Sequence, residues 1–228
     1  MPGGWGTYLL YVIPPFILGL LAQAWVRSAT RKGLGQPVMN GMSGAQIARR
    51  ILDANGLSSV PIEQVPGSLS DHYDPGARTV RLSADVYQGV SVTSTAVAAH
   101  EVGHAIQHAK AFAPLAFRTA LWKPVSFASN AWTFILFGGF IFGSLGMIKV
   151  GIALFAIVVL FQLVTLPVEF DASRRAAVQL KQLGIANPDE STGVRKVLTS
   201  AALTYVAGAL ASLAQLAYFV MVFLGNRN

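Results

Sequence analysis

Long apolar stretches separated by polar segments organise this chain of 228 residues. Residues 8–26, 125–145, 150–166 and 201–224 each come near the ~20 residues that cross a ~30 Å hydrocarbon core. Residues 146–149 alone separate the second stretch from the third, which predicts a tight antiparallel hairpin. We therefore divide the chain into an N-terminal anchor (1–26), a polar domain (27–123), a transmembrane hairpin (124–167), a polar helical segment (168–200) and a C-terminal transmembrane helix (201–228).

The polar segment 27–123 changes from a helical to a strand-like pattern and back. Ser43 is a suitable N-cap for a short amphipathic helix that ends near Asn55 and Gly56. Residues 60–65, 69–73 and 78–82 are strand-like, with a turn at 74–76, and we expect a small antiparallel sheet. Residues 78–82 alternate like a half-buried strand, whose exposed edge could bind an extended peptide. A helix then begins near Thr93 or Ser94 and continues through His108. The predicted fold is mainly α: four membrane spans with a small α+β domain.

Composition and charge place this fold in a membrane. Hydrophobic residues make up 53% of the chain and charged residues 12%, and mean hydropathy is +0.52. The net charge is +7, and all of the 17 Lys and Arg residues except Lys149 and Arg227, thus 15, lie in the two polar segments. This bias predicts that these segments are cytoplasmic and that both termini are outside. The first apolar stretch has no basic residues before it, unlike a cleavable signal peptide. Basic residues are not interleaved with stacking aromatics, so we expect no nucleic-acid partner.

Three of the four histidines lie within nine residues, around a single glutamate. His100, Glu101 and His104 form the pattern H-E-x-x-H. On a helix, positions i and i+4 share a face, so both imidazoles can bind one zinc ion while Glu101 acts as general base for a zinc-activated water. The chain has no cysteine, which excludes cysteine ligands. These residues predict a zinc hydrolase with one Zn²⁺ per chain.

A catalytic zinc site usually has a third protein ligand. The candidates are His108, His72, Asp189 and the carboxylates near residue 170. His108 shares the helix with His100, but i, i+4 and i+8 spread over about 12 Å, too far for one ion. Gln107 and Lys110 depart from the metzincin continuation H-E-x-x-H-x-x-G-x-x-H. Glu169 is the strongest candidate, since a carboxylate on a second helix across the H-E-x-x-H helix is the gluzincin arrangement.

The two motifs together resemble a known family. The segments HEVGHAIQ (100–107) and VEFDASRRA (168–176), with DHYDP (71–75) and AALTYV (201–206), are similar to the YugP-type membrane zinc metallopeptidase family, over about residues 7–224. The resemblance implies a neutral zinc peptidase in the bacterial inner membrane, with His100 and His104 as ligands and Glu101 as the base.

A more distant resemblance is to the HtpX and CAAX prenyl protease group. Those proteins also separate H-E-x-x-H from a glutamate ligand, in the pattern E-x-x-A-D, by a transmembrane hairpin. This chain keeps Glu169 and Ala172 but has Ser173 in place of the aspartate. A hydrogen bond to a ligand histidine would then come from Asp171 or Ser173.

Other polar side chains are candidates for secondary roles. A donor to the developing oxyanion could come from His72, Tyr73, Tyr205 or Arg174, or from Arg175, and His108 could support the site from outside the ligand set.

The sequence thus predicts a membrane zinc metalloendopeptidase, active at the cytoplasmic surface on a peptide or a membrane protein. A regulatory membrane partner is left open. One alternative is an intramembrane site-2 type protease. The segment Asn187-Pro188-Asp189 superficially resembles the aspartate ligand motif of that type, although here it falls in a polar turn. The other is a membrane scaffold with a non-catalytic metal site.

Overall fold

The computed structural model describes residues 5–225, so the predicted outermost positions 1–4 and 226–228 lie outside the described residues. Within the described part, the chain forms seven helices and one three-stranded sheet. They are α1 (Trp5–Leu34), α2 (Gly44–Ala54), β1 (Ile62–Val65), β2 (His72–Asp74), β3 (Thr79–Ser83), α3 (Ala84–Tyr87), α4 (Val92–Ala109), α5 (Ala113–Ile141), α6 (Leu145–Gln182) and α7 (Pro188–Gly225).

Four of these helices are long and apolar enough to cross a membrane: α1, α5, α6 and α7. This confirms the prediction of a mainly helical chain with four candidate spans. The chain divides into two compact units. The first comprises residues up to Ala22, 117–166 and from Thr204 on, and the second comprises 23–116 and 167–203.

In the first unit, α5 and α6 form an antiparallel hairpin, but its turn is not where we predicted it. The turn occupies residues 142–144 rather than 146–149. Gly143 takes the left-handed conformation (φ +63°) that a side chain disfavours, and Ser144 then begins the next helix by accepting a hydrogen bond from the Met147 N–H. Glycines let the two helices meet, since a Cβ on Gly139 would lie 2.8 Å from the Ile148 backbone nitrogen.

Helix α6 corrects a second prediction. We expected the third span to end near residue 166 and a separate helix to follow, but α6 continues without a break through Pro167 to Gln182. Likewise, α7 begins at Pro188 and includes both the polar start and the apolar stretch of the last span. A transmembrane helix tolerates an internal proline when the freed backbone groups find other partners. The result is two 38-residue helices, each shared by both units.

The second unit is built around α4. Helix α2 begins at the predicted N-cap Ser43, whose side chain accepts a hydrogen bond from Gln46 N–H, while the Gln46 side chain accepts one from Ser43 N–H. For α4 the predicted cap was wrong: Ser91 caps the helix, and Thr93 and Ser94 lie buried inside it. The apolar faces of α2, α4 and the sheet form one core, with Ile47, Ile51, Leu52, Val80, Leu82 and Val102 fully buried.

The sheet is mixed rather than antiparallel, with strand order β1-β3-β2. β2 and β3 form the expected hairpin, but β1 pairs with β3 in parallel, Ile62 opposite Val80. Parallel pairing requires a long crossover, and the residues between Val65 and Thr79 supply it by passing through β2 first. As the central strand, β3 has partners on both sides, so the prediction of an exposed peptide-binding edge at 78–82 is wrong. The sheet edges are β1 and β2.

Candidate metal centre

The site depends on a close approach between α4 and α6 within the second unit. Gly103, inside the H-E-x-x-H motif, faces the backbone of Ala172. A Cβ at position 103 would lie only 2.5 Å from the Ala172 carbonyl oxygen. The missing side chain therefore allows the two helices to cross at the distance that brings the ligand candidates together.

Three ligand candidates converge at this crossing. The Nε2 of His100 lies 3.2 Å from the Glu169 carboxylate, and the Nε2 of His104 lies 3.7 Å from it. The possible ligand atoms of all three residues lie within 4.8 Å of one another, and the rings of the two histidines are nearly perpendicular. His104 and Glu169 are buried and His100 is partly buried. In the part of the chain that the structure describes, no other group of three such side chains converges in this way.

The geometry and chemistry of this set fit zinc. Tetrahedral Zn²⁺ with ligand bonds of ~2.0–2.2 Å places its ligand atoms roughly 3.3 Å apart, close to the separations seen here. Two imidazoles and one carboxylate form a common catalytic zinc set that leaves the fourth position for water. The three side chains would hold the ion with a short adjustment of each.

The buried amide of Gln107 fixes the orientation of His104. Gln107 donates from Nε2 to the Val168 carbonyl (2.7 Å) and to the Asp171 carboxylate (2.9 Å), so its Oε1 must be the acceptor toward His104 Nδ1, 3.0 Å away. The proton of His104 is therefore on Nδ1, and Nε2 keeps the lone pair that a metal requires. Asp171 is itself held by Arg175 Nε at 2.5 Å.

A hydroxyl supports the other histidine. Ser173 Oγ lies 3.1 Å from His100 Nδ1, so Nε2 of this ring is also the nitrogen that faces Glu169. Ser173 and Asp171 thus each act on a different one of the two candidate ligand histidines, Ser173 directly and Asp171 through Gln107. Gln107 entered the sequence interpretation only as a departure from the metzincin pattern. Its position three residues after His104, where both side chains lie on one side of the helix, was the available signal for its role.

Glu101 lies in an environment that suits a base near neutral pH. It is buried, and this burial, reinforced by the negative charges of Glu169 and Asp71, raises its pKa to about 7. His100 and the nearby backbone of Tyr73 act in the opposite direction and lower the pKa. A carboxylate with such a pKa can both accept and return a proton.

The remaining predicted site residues are more dispersed. His72 is exposed and its Nδ1 lies 2.8 Å from the Ser70 carbonyl, while the Arg174 side chain is 78% exposed and pairs with Asp171. Tyr73 and His108 bond to each other, with 2.8 Å between the hydroxyl and Nδ1. Asp189 lies in the first turn of α7 and is not among the residues of the described metal cluster.

Tyr205 belongs to the first unit. It lines a cavity of about 290 Å³ there, whose other walls are Arg118, Phe161, Gln162, Thr165, Thr204 and Gly208. The Oε1 atom of Gln162 is buried in that unit without a hydrogen-bond partner.

Comparison with known proteins identifies the family. The sequence model of a family described as "Putative neutral zinc metallopeptidase" matches residues 8–224. The chain belongs to this family. It is also 47% identical to a Bacillus subtilis (strain 168) protein named "Putative membrane protease YugP", over 97% of this chain and 98% of that protein. No solved structure matches the chain. Membership of this zinc metallopeptidase family confirms the resemblance that the sequence motifs indicated, and with the four apolar helices it makes the chain a multi-pass membrane protein.

Proposed function

We propose that this protein is a zinc-dependent endopeptidase that cleaves peptides or membrane proteins at the cytoplasmic surface of the bacterial cell membrane. The observation that carries the proposal is the convergence of His100, His104 and Glu169 beside Glu101. Structural zinc sites are usually closed by four protein ligands, whereas this set offers three, next to a buried carboxylate that is itself not a ligand candidate.

Each residue then has a distinct task. When bound, zinc would polarise the scissile carbonyl and acidify a water molecule. Glu101 accepts the proton of the attacking water and transfers it to the leaving amine. It can do both because its raised pKa lies near neutral pH. Gln107 keeps His104, and Ser173 keeps His100, in the tautomer and orientation that present Nε2 to the metal position.

Zinc content and proteolysis of four proteins test this assignment. We expect Glu101→Gln to retain one zinc per chain but lose cleavage of a dye-quenched casein, and Glu169→Ala to lose both. Glu63→Gln is the matched control, since Glu63 is an exposed carboxylate paired with Arg81, and it should behave as wild type. Full zinc occupancy in Glu169→Ala would remove Glu169 from the ligand set, and cleavage by Glu101→Gln would refute the general-base role.

The cytoplasmic orientation rests on the distribution of the basic residues. Because the chain has no cysteine, single cysteines can report each side. Ser58 and Lys181 are exposed positions in the second unit, and Lys149 is an exposed position at the start of α6. A membrane-impermeant maleimide should label Ser58→Cys and Lys181→Cys only in inverted vesicles and Lys149→Cys only in intact cells. The reverse pattern would contradict the orientation.

A further inference from the structure

The first unit contains a cavity of about 290 Å³ between α5, α6 and α7. The charged residue in its wall is Arg118 of α5. Gln162 and Thr165 line it from α6, and Gly208 lines it from α7. The volume is at the lower end of the range for pockets that hold small molecules, ~300–1,000 Å³. The cavity therefore has room for a polar group of a few atoms, such as the headgroup of a lipid.

The polar atoms that α6 presents to this cavity are acceptors of hydrogen bonds. The Oε1 atom of Gln162 is buried and has no hydrogen-bond partner in the described part of the chain. The hydroxyl of Thr165 donates to the Phe161 carbonyl at 2.8 Å, so toward the cavity it can only accept. A buried acceptor without a partner costs free energy. The wall formed by α6 therefore favours an occupant that donates a hydrogen bond.

The cavity residues lie where the apolar stretches of their helices end. Thr165 is in the last turn of the apolar stretch 150–166, and Thr204, which also lines the cavity, is in the first turn of the stretch 201–224. Arg118 lies seven residues, about 10 Å, before the apolar stretch of α5 begins. In a bilayer the polar headgroups begin where the hydrocarbon ends. The cavity is therefore at the depth of the headgroups.

The wall formed by α7 is accessible from outside this unit. Tyr205, which lines the cavity, is 41% exposed, and Gly208 is exposed as well. A Cβ on Gly208 would have the Oε1 atom of Gln162 as its neighbour, 3.9 Å away. The missing side chain therefore leaves the approach to this oxygen open, and a lipid beside α7 can place its headgroup there.

The charge of Arg118 distinguishes among the common headgroups. A guanidinium attracts phosphate, and basic pockets between transmembrane helices bind anionic headgroups. Phosphatidylethanolamine would bring an ammonium into a cavity that already has a positively charged wall. Phosphatidylcholine has no N–H or O–H group that could donate to Gln162. Phosphatidylglycerol has both a net negative charge and glycerol hydroxyls that can donate.

We propose that this cavity binds the headgroup of one phosphatidylglycerol molecule. A glycerol hydroxyl donates to the Oε1 atom of Gln162, and the phosphate lies on the side of Arg118. The site is distinct from the peptidase chemistry, since the cavity lining does not include a candidate metal ligand or Glu101.

Two lipids of equal charge isolate the contribution of the hydroxyl. Phosphatidylmethanol has the same phosphate diester as phosphatidylglycerol but no hydroxyl. Native mass spectrometry of the full chain in detergent measures the affinity for each lipid. We expect the wild type to bind phosphatidylglycerol at least fivefold more tightly than phosphatidylmethanol, because the buried acceptor gains its donor. Phosphatidylethanolamine should bind more weakly than phosphatidylglycerol.

Three variants locate the binding in the cavity. Gln162→Leu should bind phosphatidylglycerol and phosphatidylmethanol equally, at the weaker affinity, and it should fold because it removes an unsatisfied buried acceptor. Gly208→Leu fills the approach and should weaken the binding of phosphatidylglycerol at least fivefold. Asn130→Leu is the matched control and should bind as the wild type does, since Asn130 is a polar residue of α5 outside the cavity lining, with its amide bonded to the Ser126 carbonyl. Circular dichroism checks that each variant is folded.

Three results would overturn the proposal. Equal affinities of the wild type for phosphatidylglycerol and phosphatidylmethanol would exclude the hydroxyl contact with Gln162. Binding of phosphatidylethanolamine as tightly as phosphatidylglycerol would exclude selection of an anionic headgroup. Wild-type protein that binds none of these lipids would show that the cavity holds water only. Since the measurement is of lipid binding, its result is independent of whether the chain cleaves peptides.

Discussion

The helix crossing at Gly103 provides the strictest test of the metal centre, because a single methyl group should disturb it without touching a ligand. In Gly103→Ala the new Cβ would lie 2.5 Å from the Ala172 carbonyl oxygen. An ordinary carbon–oxygen contact is about 3.3 Å, so α4 and α6 must separate locally by roughly 0.8 Å. Metal–ligand distances hold to within about 0.2 Å, and the two helices carry the histidines and the glutamate respectively.

The free-energy cost of this added methyl group can be estimated. Overpacking a tight contact typically costs about 1–3 kcal/mol. If the helices relax apart without the metal and must be forced together to bind it, that energy appears as about 5- to 150-fold weaker zinc binding, at about 1.4 kcal/mol per factor of ten. We expect Gly103→Ala to remain folded and to bind zinc at least fivefold more weakly.

Competition with a chromogenic zinc chelator measures this affinity in the detergent-solubilised protein, and circular dichroism checks the helix content. Gly19→Ala is the matched control, because a Cβ at that position in α1 meets no atom within 4 Å. Zinc affinity of folded Gly103→Ala within twofold of the wild type would refute the argument that this close approach sets the ligand geometry.

Three further predictions concern other contacts of the second unit. Gln107→Ala should weaken zinc binding about 10- to 100-fold by releasing His104, as for other residues that orient a ligand; chelator competition measures it, and an unchanged affinity would remove Gln107 from the site. Ser43→Ala should lower the stability of the second unit by about 1 kcal/mol in denaturant unfolding, through loss of the α2 cap, and a change below a few tenths would contradict this. Backbone amides and Arg81 lower the pKa of Asp74, so the stabilising effect of this carboxylate is present above the ordinary aspartate pKa and is lost as pH falls through the lowered value. In Asp74→Asn, the melting temperature should therefore depend less on pH than in the wild type, between neutral and strongly acidic conditions. An equal dependence would exclude this contribution.

Local signals in the sequence predicted most of the helices and strands, but they did not predict which of these elements pack or pair with each other. Ser43, Asn55 and Gly56 define α2 because capping depends on neighbouring residues. The parallel pairing of β1 with β3 depends on a crossover whose path no short pattern encodes. The predicted turn at residues 146–149 missed the left-handed Gly143, six residues before Lys149, whose polar side chain marked the end of the predicted turn.

The candidate site shows the same division. The spacing of His100 and His104 is a property of one helix, so the sequence was sufficient to pair them. Glu169 was a reasoned choice among several carboxylates, and the structure brings it beside the histidines. Gln107 could not be assigned because its function requires knowing that Val168 and Asp171 lie across from it on α6. Buried amides are recognised by their partners, and those partners are 61 and 64 residues away.

The helical course of α6 past Glu169 has a consequence for which changes the site tolerates. Glu169 and Ala172 both lie in the part of α6 that belongs to the second unit, and each residue of a helix adds about 100° of rotation and about 1.5 Å of rise. Deleting one residue between them would turn the carboxylate by about 100° relative to the contact of Ala172 with Gly103, and so away from the histidines. The side chain of Phe170, which is 47% exposed, can therefore change more readily than the number of residues between these two positions.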